Sequence, residues 1–70
     1  MNETDLVVIK KLGDAGLMTQ AYAAMFLPFD QWASMKRLTI QGIVLFDYVR
    51  RIYVLSNAGR ALYTMASQNA

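Results

Sequence analysis

Seventy residues form one domain, 1–70, near the lower size limit for a self-sufficient core. Hydrophobic residues make up 56% of the chain and charged residues 17%, with a net charge of +2. That composition excludes intrinsic disorder, which needs few apolar residues and a high net charge. So small a chain cannot hide this much apolar surface alone, so a second copy or another protein is expected to cover part of it.

The absence of Cys and His removes disulfides, thiolate metal sites, the commonest metal ligand and the commonest general base. The five acids, Glu3, Asp5, Asp14, Asp30 and Asp47, stand apart from one another. No Gly-rich phosphate loop occurs. The expectation is a protein that is not an enzyme, with no metal, no cofactor and no evident small-molecule ligand. Apolar runs such as Ala21 to Phe29 and Ile43 to Phe46 fall far short of the ~20 residues that span a bilayer. Glu3 and Asp5, ahead of the first apolar run, have the wrong charge for a signal peptide. A cytoplasmic protein is expected.

The first helix is predicted from about Thr4 to Asp14, with Thr4 as N-cap and Asp5 in the first turn. Leu6 and Ile9 lie on its apolar side, widened by Val7, Val8 and Leu12. Gly13 and Gly16 bracket its end. Leu17 and Met18 form a short extended link. Thr19 caps a second, Ala-rich helix from Gln20 to about Leu27, which Pro28 closes. Asp30 is the expected cap of a third helix, Gln31 to about Gln41, with Trp32, Met35 and Leu38 toward the core. Gly42 follows, where a left-handed residue is wanted.

The pattern then changes to two β-rich apolar runs, Ile43 to Phe46 and Ile52 to Leu55, joined through Asp47 to Arg51. They predict a hairpin, although its turn lacks Gly, Asn and Pro. Ser56 caps a last helix from Asn57 to about Ser67, and Gln68-Asn69-Ala70 is expected to fray. The predicted core is Leu6, Ile9, Leu38, Val44, Leu55 and Leu62.

Two stretches carry a family resemblance. Leu38-Thr39-Ile40-Gln41-Gly42-Ile43-Val44 resembles the end of a recognition helix entering the first wing strand of a winged helix-turn-helix domain. Tyr53-Val54-Leu55-Ser56-Asn57-Ala58-Gly59-Arg60-Ala61-Leu62 is similar to the second wing strand entering the final helix in small MarR-like and PadR-like bacterial or phage regulators. The likeness spans about Thr4 to Met65. It implies an α+β, mostly α fold: three helices, a two-stranded wing hairpin and a C-terminal helix.

Two functions follow from the resemblance. The first is a small transcriptional regulator that binds double-stranded DNA as a homodimer, as a phage or accessory protein. Its third helix would bring Gln31 and Ser34 to base edges, with Lys36, Arg37, Arg50 and Arg51 on phosphates. Dimerisation through terminal helices, common in such regulators, points to Val7, Val8, Tyr63 and Met65. The alternative is a winged-helix protein–protein interaction module, such as a phage-encoded inhibitor or adaptor binding a host protein, with Phe46 and Tyr48 on the wing as contacts. A continuous basic face in the fold is what discriminates the two.

Overall fold

A computed structural model describes residues 1–68. The elements are α1 (Glu3–Ala15), β1 (Met18–Thr19), α2 (Gln20–Phe26), α3 (Phe29–Ile40), β2 (Val44–Asp47), β3 (Ile52–Leu55) and α4 (Asn57–Gln68). The described residues thus form a small, mostly helical α+β fold, with four helices and a three-stranded antiparallel sheet in the order β1-β3-β2. Among the described residues, no helix is long and apolar enough to cross a membrane. Asn69 and Ala70 of the expected fraying tail lie outside the described residues.

Local chemistry sets most boundaries. Thr19 Oγ1 accepts from the Tyr22 amide at 3.1 Å and caps α2. Leu27 turns extended (ψ 137°) ahead of Pro28 and ends it. Ser56 Oγ accepts from the Gly59 amide at 3.1 Å and starts α4. Gly16 and Gly42, at φ 85° and 79°, reverse the chain after α1 and α3. Two caps differ from expectation. Asn2, not Thr4, begins α1, in a capping box with Asp5. Pro28 rather than Asp30 stands at the N-cap of α3, which has no side-chain cap.

The hairpin pairs Val44 with Leu55 and Phe46 with Tyr53. Its turn closes without Gly because Asp47 organises it. Asp47 Oδ1 accepts from the amides of Val49 (2.9 Å) and Arg50 (3.1 Å). Arg51 takes the left-handed backbone (φ 55°) that Gly would ordinarily supply. The link expected before α2 is a strand: Met18 pairs with Tyr53, and Thr19 with Ile52.

The core holds Val8, Ile9, Leu12, Met18, Ala23, Met35, Leu38, Val44, Tyr53 and Leu55. Ile9, Leu38, Val44 and Leu55 are where the sequence predicts them. Leu6 is not: it is exposed, and Val8 is buried in its place. The inward stripe of α1 is Asp5, Val8, Ile9 and Leu12. Its first position is an acid, which disguises the stripe in a hydrophobicity pattern. Leu62 is half-buried against the core rather than within it.

Candidate interaction face

α3 packs against α1 and β2. Ser34, Met35 and Leu38 point inward. With 3.6 residues per turn, positions 29, 33, 36 and 40 fall together on the opposite side. The outward stripe is therefore Phe29, Ala33, Lys36 and Ile40. Phe29 is 86% and Ile40 87% exposed. Neither residue is among the contacts the sequence predicts, although Phe29, Ala33 and Ile40 recur at helical spacing as a second apolar side of α3, interrupted by Lys36.

The residues expected to read bases are engaged elsewhere. Ser34 is fully buried, and its hydroxyl donates to Asp5 Oδ1 at 2.5 Å. Ser34 is therefore not free to be the base contact the sequence suggests, because a residue at the α1–α3 junction cannot reach a groove without unpacking the helix. Gln31 is half-buried, and its Oε1 accepts from Lys11 Nζ at 2.6 Å. Arg37 forms an ion pair with Asp5 across the same junction. Burial pushes the Asp5 pKa up. The Ser34 hydroxyl, the Arg37 guanidinium and the Asn2 amide outweigh that effect, holding the carboxyl below its ordinary range.

The other expected phosphate contacts are Lys36, Arg50 and Arg51. Lys36 Nζ sits 5.2 Å from the Trp32 ring centroid, a cation–π contact. Half-buried Trp32 meets Tyr53 edge-on, with ring centroids 5.8 Å apart. Tyr53 contacts Phe46 (4.7 Å), and Phe46 contacts Tyr48 (4.9 Å). An unbroken chain of rings therefore runs from α3 to the β2–β3 turn. Burial raises the Tyr53 pKa, with a smaller contribution from Tyr48. Phe46 is half-buried, whereas Tyr48 (83%) and Val49 (93%) stand in solvent. Trp32, Arg50 and Arg51 also border one cleft beside the start of α2. Arg50 lies 3.9 Å from Asp47, a weak, largely exposed pair. Arg51 makes no ion pair among the described residues.

The residues expected at a dimer contact divide. Val7 and Met65 are exposed on one side of α1 and α4. Val8 is buried in the core and is corrected from contact to core residue. Tyr63 is half-buried over Gly13, and its hydroxyl donates to Asp14 Oδ1 at 2.6 Å. That hydrogen bond raises the Tyr63 pKa. Among the described residues, no group of His, Cys, Asp and Glu could hold a metal ion. No family model, curated protein or solved structure matches this chain.

Proposed function

We propose that this chain is a winged-helix protein-interaction module, a binding protein without catalytic chemistry, that docks a partner protein through α3 and the wing. The element order and the place of β1 beside β3 support the winged-helix assignment. One observation carries the functional reading: the outward stripe of α3 is built on Phe29 and Ile40, both more than four-fifths exposed. Large apolar side chains held out by a rigid helix are the usual anchors of a protein interface. Tyr48 and Val49 extend the apolar surface at the wing tip. Lys36, Arg50 and Arg51 add positive charge, which suits a partner offering apolar side chains with carboxylates beside them.

A homodimeric DNA-binding regulator is the second reading. It is favoured by Trp32, which contacts Lys36 and also borders the cleft lined by Arg50 and Arg51. Such a face could follow a phosphate backbone.

Lysate from the native cell, treated with nuclease, is passed over the immobilised chain and over a Phe29→Asp/Ile40→Asp variant. A protein held by the native chain and lost by the folded variant supports the interaction reading. Binding of random-sequence duplex DNA at low salt is measured alongside. DNA affinity abolished by Lys36→Ala/Arg51→Ala and untouched by Phe29→Asp/Ile40→Asp overturns it in favour of the regulator.

A further inference from the structure

The exposed side of α1 carries charges and apolar residues in a palindromic order. Glu3, Leu6, Val7 and Lys10 follow at steps of three, one and three, and all four are exposed. These steps place them along one face of the helix. The midpoint between Glu3 and Lys10 is also the midpoint between Leu6 and Val7. An antiparallel copy of the helix, related by a two-fold axis through that point, aligns Glu3 with the second copy's Lys10. It aligns Leu6 with the second copy's Val7 in the same register. At 1.5 Å per residue the two ion pairs lie about 5 Å along the axis on either side of the apolar centre. A self-complementary patch is what a two-fold interface requires.

The ground beside this stripe is apolar as well. Leu6, Val7 and Lys10 share an open groove of about 420 Å³ with Leu62, Met65 and Ala66 of α4. Glu3 makes no ion pair among the described residues. Among the described residues Lys10 pairs only with Asp14, at 3.8 Å with both side chains about half exposed, a weak pair that leaves it free to exchange partners.

We infer that the chain forms a two-fold homodimer in which α1 packs antiparallel on the second copy's α1, with Glu3 opposite Lys10 and Leu6 opposite Val7. This interface lies on α1 and α4, apart from α3 and the wing, and does not depend on the function proposed for that face.

Charge exchange tests the register. Sedimentation equilibrium at micromolar concentrations is expected to show a dimer of the native chain that weakens as salt is added. Glu3→Lys and Lys10→Glu each set like charges across the axis, twice per dimer, and are expected to weaken association by about tenfold. The double variant Glu3→Lys/Lys10→Glu restores opposite charges and is expected to recover most of that loss. Thermal melts of dilute protein identify any variant whose monomer is unfolded. A cysteine replacement serves as a second measurement that does not perturb charge, because the native chain has no Cys. Val7→Cys, beside the axis, is expected to oxidise to a disulfide dimer, and Gln41→Cys is not. A native chain that sediments only at 7.9 kDa overturns the inference. So does a folded double variant that associates no better than the singles, or a Val7→Cys chain that cross-links no faster than Gln41→Cys.

Discussion

The Cα of Gly59 lies so close to the carbonyl oxygen of Ile43 that a β-carbon at position 59 would overlap it. The same carbonyl accepts from the Ser56 amide at 3.0 Å and from Ser56 Oγ at 2.9 Å. One backbone oxygen therefore joins the start of α4 to the approach to β2, and it cannot rotate away as a side chain could. Gly59→Ala is expected to destabilise the fold by roughly 2–3 kcal/mol, despite the better helix propensity of alanine. Gly13→Ala meets the Tyr63 ring instead, which can shift, and is expected to cost less. Chemical denaturation of both variants checks the order. In a Tyr63→Ala background the penalty at Gly13 is expected to vanish, while that at Gly59 persists.

Asp5 ties α1 to α3 through Ser34 and Arg37. Its pKa is lower in the folded state than in the unfolded chain. The stability it contributes is therefore present above the unfolded value, about 3.9, and is lost as pH falls toward the folded one. Thermal melts are expected to show a melting temperature that drops below about pH 4. Asp5→Ala is expected to cost roughly 2–3 kcal/mol near neutral pH, because it leaves the buried Ser34 hydroxyl without its acceptor. The same variant is expected to lose the acid-side share of the pH dependence that Asp5 supplies.

Leu38 is fully buried and Leu6 is 41% exposed, although both lie on apolar stripes of the sequence. Leu38→Ala is expected to cost roughly 2–5 kcal/mol, close to the whole stability of so small a domain. Leu6→Ala, measured at a concentration where the chain is monomeric, is expected to cost under about 1 kcal/mol. Equal losses at the two positions would contradict the orientation of α1.

Arg51 occupies a left-handed backbone position in the β2–β3 turn. Arg51→Gly removes the steric cost of that conformation, about 1 kcal/mol, at the expense of a more flexible unfolded chain. The expected result is an unchanged or slightly raised melting temperature. A fall of several degrees would indicate that the arginine side chain holds the turn through contacts of its own.

Much of the secondary structure was legible because its causes are local. Thr19 and Ser56 cap helices with their own hydroxyls, Pro28 stops one, Gly42 reverses the chain after another, and β-branched runs mark the hairpin. The partnerships between distant segments were not legible. Asp5 looks like an ordinary first-turn acid until α3 supplies Ser34 and Arg37, 29 and 32 residues away in sequence. That pairing lets α1 bury a carboxylate and turn Val8 inward while Leu6 stays in solvent. It also commits Ser34 and Arg37, both expected DNA contacts, to Asp5 at the α1–α3 junction. Composition and periodicity determined which helices and strands would form. Tertiary packing decided which face of each helix met the core and which polar groups stayed uncommitted, because a buried charge is tolerated only where the fold delivers its partners.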